Sequence, residues 1–215
     1  MALLEVRGAD RTGFLQRMLT QDIARLSPGT GCRAALLDAS AKLLADLLVL
    51  ADAQALWLLC DLPRAELLHQ TLEQCHFSED LTLIPHERRQ AAVAIQGPRA
   101  LEVLAQLLGR ALPLPHAGDH VTMPLEGIPV RWVRHTLSGG IGVLGLIPAE
   151  DTRAVWDALR QLGDPVGLQP VGWEALNTAR IEAGTPWFGI DMDASNLLPE
   201  TGLEAELASD AKGCY

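Results

Sequence analysis

The sequence predicts an α+β fold, in which antiparallel strands form meanders and helices pack against them. Three short apolar segments with the character of strands follow one another near the N-terminus, at residues 33–38, 43–50 and 56–60, without a helical pattern between them. Such short connections favour antiparallel pairing, because a parallel crossover needs about a dozen residues or more. Helical spacing of apolar residues recurs between the later strands. Meanders with interspersed helices indicate the α+β class.

The first elements of the chain are a strand and a helix. Residues 3–7 alternate in the way a half-buried strand does. Asp10 is a residue type that often caps helices, and the apolar stripe behind it predicts a helix that continues to about Leu26. Pro28 and Gly29 then end this helix.

The later elements alternate between helices, recognised by their apolar spacing, and short strands. In chain order they are a helix at residues 63–75, a strand at 91–95, a helix at 98–108, strands at 121–125, 129–135 and 141–147, and helices at 148–162 and 171–183. Gly97-Pro98 begins one of these helices, since proline is tolerated in a first turn. Two segments rich in proline and glycine, 112–118 and 163–170, are the expected seams between lobes.

The composition limits the function before any motif is considered. The chain has 215 residues, of which 48% are hydrophobic and only 4% aromatic, so leucine, alanine and valine are expected to build the core. The formal net charge of −10 and the pI near 5.0 argue against non-specific nucleic-acid binding, which depends on neutralising phosphates. We therefore expect no direct nucleic-acid partner.

The apolar runs predict neither a membrane helix nor a secretion signal. No run reaches the roughly 18 apolar residues that a membrane helix needs, and the longest, residues 43–50, is interrupted by Asp46. The first residues also lack a basic stretch followed by a long apolar one. We expect a soluble, cytoplasmic protein with no membrane partner.

The cysteines fall into two kinds. Those at positions 32, 60, 75 and 214 form no Cys-x-x-Cys pair and no cluster with histidine, so no metal site is expected in the chain itself. Cys32 and Cys60 lie in apolar segments and are interpreted as core residues. Cys214 differs, because it lies in Lys212-Gly213-Cys214-Tyr215, where a nearby cation favours the reactive thiolate and glycine permits close approach.

Two motifs carry a resemblance to a known family. Residues 180–186 form an Arg-x-Glu-Ala-Gly-x-Pro stretch, and Lys-Gly-Cys-aromatic follows at residues 212–215. Together they resemble the YgfZ family, the folate-binding relatives of the glycine-cleavage T-protein. Further similarity to that family lies at residues 7–10, 14–16, 19–22, 36–38, 96–98, 138–140 and 198–203. The resemblance therefore covers the whole chain.

The resemblance implies two intertwined lobes, each with a mixed or antiparallel sheet and packed helices. We expect one lobe at residues 1–50 with 165–215 and the other at 51–164. In that family the cysteine motif normally continues into a small C-terminal β-barrel domain, whereas this sequence ends at Tyr215. Two explanations stay open: the chain is a fragment of a longer protein, or the natural protein lacks the barrel.

The resemblance also implies a site for tetrahydrofolate or a related reduced folate. A pterin ring presents an amino group and a ring N–H side by side, and one carboxylate can accept both hydrogen bonds. Glu182 is the expected acceptor, with its head toward an interior cavity. Arg180 is also expected among the cofactor-binding residues. It lies roughly 200° away around the helix and cannot share a ligand contact with Glu182, so its alternative role is to orient Glu182 or to pin a neighbouring loop. Asp38 is either a cofactor-binding residue or only a turn residue, in a turn expected to differ because Ala41 replaces the family's glycine.

Two functions follow from the resemblance. The first is a folate-binding accessory protein, without classical turnover, that supports iron–sulphur cluster assembly or repair and indirectly cluster-dependent tRNA modification. Its partners would be folate and iron–sulphur proteins or their assembly factors, and Cys214 and Lys212 would be its reactive residues. The alternative is a tetrahydrofolate-dependent aminomethyltransferase of the glycine-cleavage type. That reaction needs an acid or base near the folate nitrogen, and residues 58–66 offer only Asp61 or Glu66 for it.

Overall fold

A computed structural model describes residues 1–86 and 89–212 of the chain. The chain divides into two compact units, the first comprising Met1–Glu87 with Trp187–Tyr215 and the second comprising Arg88–Pro186. Each unit contains an antiparallel sheet with helices packed on it, which confirms the predicted α+β class. In the two described ranges, no helix has the length and apolarity that crossing a membrane requires.

The first unit is built on a five-stranded antiparallel sheet. Its strands are β1 (Ala2–Arg7), β2 (Gly31–Leu37), β3 (Leu43–Ala51), β4 (Ala55–Cys60) and β5 (Thr82–Pro85). They lie in the order β2-β3-β4-β1-β5, which confirms the predicted meander of β2, β3 and β4. The sequence pattern does not predict β5, because it is a four-residue strand at the sheet edge that ends in a proline.

Two helices, α1 (Arg11–Met18) and α2 (Ala65–Gln74), pack on this sheet. Their apolar residues and those of the strands form one buried cluster. Members that are at most 1% exposed include Val6, Phe14, Leu15, Leu36, Val49, Leu58, Leu68 and Leu72. Removing each leucine, valine or phenylalanine side chain from water contributes about 1.5–3 kcal/mol. This cluster stabilises the unit without a large aromatic content.

The apolar stripe predicts that the first helix continues to about Leu26, but the helix ends at Met18. The chain beyond it becomes extended, and the Thr20 N–H donates to the carbonyl of Ala35 in β2 at 3.0 Å. Pairing with the strand therefore replaces the helical hydrogen bonds, a tertiary effect that overrides the local pattern. Asp10 precedes the helix but makes no capping hydrogen bond with its side chain.

The second unit contains a four-stranded antiparallel sheet, and its described residues include three α-helices. The strands are β6 (Gln90–Gln96), β7 (His120–Leu125), β8 (Ile128–Arg134) and β9 (Gly142–Pro148), in the order β6-β9-β8-β7. The helices are α3 (Ala100–Leu108), α4 (Thr152–Gly163) and α5 (Trp173–Glu182). Trp132 is fully buried in the core, where its indole N–H donates to the carbonyl of Met123 at 3.1 Å. All these elements were predicted, with bounds that differ by a few residues.

The C-terminal segment belongs to the first unit again. It forms 3-10 turns at Leu198–Thr201 and Asp210–Lys212, with a short helix α6 (Glu204–Leu207) between them. Its apolar residues pack on β2 and β3 in a cluster of Ala35, Leu43, Met192, Leu198, Leu203 and Leu207. The sequence pattern does not predict these elements, because one turn is too short to show a helical period.

The units meet in the chain after residues 87 and 186, whereas the sequence predicts boundaries after residues 50 and 164. β4 pairs with both β1 and β3, so the residues that follow β3 complete the first sheet. At the other side, α5 belongs to the second unit. The expected seams at 112–118 and 163–170 are therefore segments inside the second unit.

The turn between β2 and β3 has the conformation that glycine favours, although the residue is alanine. Ala41 has a φ of 62°, in the left-handed region. Asp38 fixes the turn, because its Oδ1 accepts the backbone N–H groups of Ser40 at 2.8 Å and Lys42 at 2.9 Å. The expectation of a different turn is therefore wrong, since these hydrogen bonds offset a steric cost of about 1–2 kcal/mol.

We expect Ala41→Gly to stabilise the protein by about 0.5–1 kcal/mol, because glycine removes the Cβ cost and this gain exceeds the entropy it adds to the unfolded chain. Denaturant titration measures the free energy of unfolding. Ala39→Gly in the same turn is the matched control, because Ala39 has no positive φ and glycine there only loosens the unfolded chain. Equal effects of the two substitutions would contradict this account of the turn.

Candidate functional site

The predicted site residues are divided between the two units. Arg180 and Glu182 lie in the second unit, and Asp38 and Lys212 lie in the first. Cys214 lies outside the described residues. The second unit therefore holds the expected pterin acceptor, and its geometry is built from the end of α5.

A glycine turn ends α5 directly after Glu182. Gly184 has a φ of 67°, and its N–H donates to the carbonyl of Ile181 at 3.0 Å. The Thr185 N–H donates to the carbonyl of Arg180 at 2.8 Å. This pair of hydrogen bonds is the Schellman motif, which needs a left-handed residue and favours glycine there. The Ala-Gly-x-Pro part of the motif thus fixes Glu182 as the last residue of the helix.

The Glu182 carboxylate is exposed, which corrects the expectation that it faces an interior cavity. Among the described residues it has no hydrogen-bond or ion-pair partner. A carboxylate at the C-terminal end of a helix lies at the negative end of the helix dipole, where negative charge is unfavourable. The side chain is therefore solvated and makes no protein contact in the described part of the chain, so both carboxylate oxygens are accessible to a ligand with N–H donors.

Arg180 faces the opposite way from Glu182, as two helical positions predict. Its side chain is buried, with 3% of the residue exposed. Its Nε and Nη2 donate to Oδ1 of Asn177 at 2.9 and 2.7 Å. Arg180 therefore stabilises the last turn of α5 from the buried side, while its carbonyl accepts the Thr185 N–H of the glycine turn.

A side chain from β6 organises a neighbouring loop in the same unit. We call residues 136–141 the glycine loop. Gln96 ends β6, and its Oε1 accepts the backbone N–H of Leu137 at 2.9 Å and the hydroxyls of Thr136 at 3.2 Å and Ser138 at 3.3 Å. The Gly97 N–H donates to the carbonyl of Ile141 at 2.9 Å. The strand end thus holds both ends of the glycine loop.

The tip of the glycine loop lies against the turn that follows Glu182. Gly139 has a φ of 78°. A Cβ at this position would overlap the Cβ of Ala183 and lie 3.1 Å from Oγ1 of Thr185. Only glycine therefore allows this approach without a shift of one of the two segments. The sequence marks Ser138-Gly139-Gly140 as a turn, but nothing in the local pattern reveals its neighbours.

Asp38 and Lys212 lie near one cavity of the first unit. The cavity has a volume of about 550 Å³ and is lined by Thr20, Leu37, Ala41, Leu197, Leu198, Pro199, Ala208, Ser209 and Asp210. The Lys212 Nζ donates to the carbonyl of Leu19, and burial lowers the pKa of this ammonium group below its usual value. The structure thus brings the Asp38 turn and the segment that leads to the Lys-Gly-Cys motif to the same part of this unit.

Comparison with known proteins assigns the chain to a family. Residues 1–210 match the family described as the GCVT N-terminal domain. The chain belongs to this family. The predicted similarity to T-proteins is therefore confirmed, whereas membership of the YgfZ branch stays a prediction.

The relatives of this GCVT-family chain include proteins named aminomethyltransferase. The one from Synechococcus sp. (strain CC9311) is 30% identical over 214 residues, which cover 94% of this chain and 57% of that protein. The one from Bacillus cereus (strain AH187) is 28% identical over 205 residues and covers 94% of this chain and 56% of that protein. Glycine cleavage system aminomethyltransferase T from Bartonella henselae has a similar structure, with a TM-score of 0.83 and 25% identity over 97% of this chain and 56% of that one. The chain spans about half the length of the relatives it matches.

Asp61 and Glu66 are the two acidic residues considered for proton transfer in this GCVT-family chain, and both lie in the first unit. Burial raises the pKa of Asp61, and the neighbouring Asp46 carboxylate raises it further. A raised pKa brings a carboxyl group closer to the range in which it can both donate and accept a proton near neutral pH. Both residues are exposed on the surface, and the Glu66 carboxylate on α2 accepts a hydrogen bond from Gln70.

Two cysteines of the described structure are core residues, as the sequence predicts. Cys60 belongs to the buried cluster of the first unit, and Cys32 packs against it. Burial raises the pKa of the Cys32 thiol to about 12, so this thiol is protonated at neutral pH. Within residues 1–86 and 89–212, no group of three His, Cys, Asp or Glu side chains is placed to hold a metal ion.

Proposed function

We propose that this GCVT-family chain binds a reduced folate through Glu182 and that the folate accepts an aminomethyl group. The observation that carries the proposal is the Glu182 carboxylate, which is exposed at the end of α5 and has no protein partner among the described residues. The names of the relatives support the transfer reaction, since they are aminomethyltransferases. They support it better than the accessory role in iron–sulphur assembly that the cysteine motif implies.

A pterin ring suits the environment of Glu182. The two carboxylate oxygens can accept hydrogen bonds from the amino group and from the adjacent ring N–H at the same time, as they would from an arginine side chain. The two donors also offset the unfavourable position of the charge at the helix terminus. Arg180 does not bind the pterin itself. Its buried guanidinium stabilises the last turn of the helix, which carries Glu182. Asp38 likewise acts by fixing its own turn.

Aminomethyl transfer also requires a group that moves a proton at the folate nitrogen. Of the two acidic residues that the sequence offers for this role, Asp61 is the one whose pKa is raised, by burial and by the neighbouring Asp46. Folate, when bound, would supply the nitrogen that takes up the one-carbon unit. The contribution of the second unit is to hold the pterin at Glu182.

A folate-binding accessory protein is the second candidate function. The observation that favours it is the sequence Lys212-Gly213-Cys214-Tyr215, which provides a thiol that aminomethyl transfer does not need. In this case the chain would bind folate, and Cys214 with Lys212 would act on an iron–sulphur protein or an assembly factor. Both candidates share the folate site and differ in turnover.

Titration with tetrahydrofolate, followed by an assay with an aminomethyl donor, tests the proposal. We expect saturable binding, and we expect p-aminobenzoyl-glutamate, which lacks the pterin, to bind at least about tenfold more weakly because it cannot reach Glu182 with paired donors. Turnover of the aminomethyl donor would support the transferase. Binding without turnover would support the accessory protein. Equal binding of the two ligands, or none, would contradict the pterin site.

A further inference from the structure

The strand end at Gln96 has an unusual distribution of hydrogen bonds. Its Oε1 accepts three donors from the glycine loop, at Thr136, Leu137 and Ser138. Its Nε2 is buried and has no hydrogen-bond partner in the described part of the chain. Buried amide N–H groups are normally paired, since leaving a donor unsatisfied is costly. The hydrogen bonds of the Gln96 side chain are therefore those that its carbonyl oxygen accepts, and the NH₂ group contributes none among the described residues.

The backbone around Gln96 is fitted to this arrangement. A Cβ at Gly142, directly after the glycine loop, would lie 2.5 Å from Oε1 of Gln96 and 2.6 Å from the carbonyl oxygen of His135. Glycine at 142 thus allows the strand β9 to begin against the carboxamide. The glycine loop leaves and rejoins the sheet at points that both contact the same side chain.

The glycine loop transmits this constraint to the end of α5. Its tip residue, Gly139, packs against Ala183 and Thr185, which frame the Schellman turn after Glu182. Close-packed segments of this kind move together, because neither can shift without opening a gap or a clash. The position of the loop therefore sets the position of the turn, and the turn sets the direction of the Glu182 side chain.

We propose that Gln96 is a positioning residue for the Glu182 site, acting through the glycine loop. This inference rests on the proposed folate function, because folate affinity is the property that the positioning controls. Gln96 touches no ligand in this account. Its carbonyl oxygen gathers the three donors, and loss of that oxygen releases the loop and with it the turn that carries Glu182.

Two substitutions at Gln96 separate the carbonyl oxygen from the bulk of the side chain. Gln96→Met keeps a similar volume but removes the acceptor. Gln96→Glu keeps an oxygen that can accept the same three donors and removes the unpaired N–H group. We expect Gln96→Met to weaken tetrahydrofolate binding about tenfold, and Gln96→Glu to stay within about threefold of the unsubstituted protein. A purely structural role in stability would not produce this rescue.

Hydrogen exchange provides a second readout that does not depend on folate. In Gln96→Met we expect faster exchange at the amides of Leu137, Gly184 and Thr185, while Gln96→Glu retains their protection. If the unsubstituted protein binds no folate, the proposed function fails, and exchange at Gly184 and Thr185 alone decides whether Gln96 controls the turn. Unchanged exchange there in Gln96→Met, or equal loss of affinity in both variants, would overturn the positioning role. If Gln96→Met does not fold, Ser138→Ala removes one of the three donors, and a smaller change in the same amides is expected.

Discussion

Glu182→Gln is expected to weaken tetrahydrofolate binding by roughly 10- to 100-fold, because a charge-assisted hydrogen bond contributes about 1.5–3 kcal/mol. The amide offers one acceptor oxygen where the carboxylate offers two, and its NH₂ group faces one of the two pterin donors. Titration calorimetry of the two proteins measures the difference. The same substitution removes a negative charge from the end of α5, so the fold itself is expected to become slightly more stable.

Glu174→Gln is the matched control for this experiment. Glu174 lies in the first turn of the same helix and is exposed, as Glu182 is. Its substitution removes the same charge from α5 without touching the turn at Gly184. Equal losses of affinity in the two variants would show a general charge effect, and undiminished affinity in Glu182→Gln would remove Glu182 from the folate site.

Gly139→Ala is expected to lower the free energy of unfolding by about 2–5 kcal/mol. The left-handed φ of 78° costs alanine about 1–2 kcal/mol. The added methyl group also overlaps Ala183, and overpacking of this kind costs about 1–3 kcal/mol. Because the collision displaces the turn after Glu182, folate affinity is expected to fall as well. Denaturant titration and calorimetry measure the two effects.

Gly140→Ala provides the control for Gly139→Ala in the adjacent position. Gly140 has no positive φ, and a Cβ there would meet no heavy atom within 4 Å. We therefore expect a change in stability of less than about 1 kcal/mol and no change in affinity. If Gly139→Ala lowered stability and affinity no more than Gly140→Ala does, the close contact between the glycine loop and the end of α5 would not be essential for either property.

The sequence predicted the fold where the deciding interactions are local. The meander of β2, β3 and β4 and the hairpin of β7 and β8 follow from short turns between apolar runs, and the structure contains both. The end of α1 was not predictable in this way, because the backbone that turns extended at Leu19 is held by a hydrogen bond from the Thr20 N–H to the carbonyl of Ala35, which is distant in sequence. The short elements after residue 197 lack a period long enough to be recognised.

The candidate site shows the same division between local and distant information. The position of Glu182 at a helix end follows from Ala183-Gly184 and the proline two residues later, since glycine and proline are typical of helix termini. The contact between Gln96 and Ser138 joins residues 42 positions apart, so no local pattern indicates it. The turn at Ala41 shows a further limit, because hydrogen bonds from Asp38 stabilise a backbone that residue preference alone disfavours.

The most direct test of the folate site is a crystal structure of the protein with tetrahydrofolate bound. We expect the pterin amino group and the adjacent ring N–H each to lie about 2.7–3.0 Å from an oxygen of the Glu182 carboxylate. We also expect the Schellman turn at Gly184 and its contact with Gly139 to be unchanged. A pterin bound elsewhere, with the Glu182 carboxylate still in solvent, would contradict the central claim.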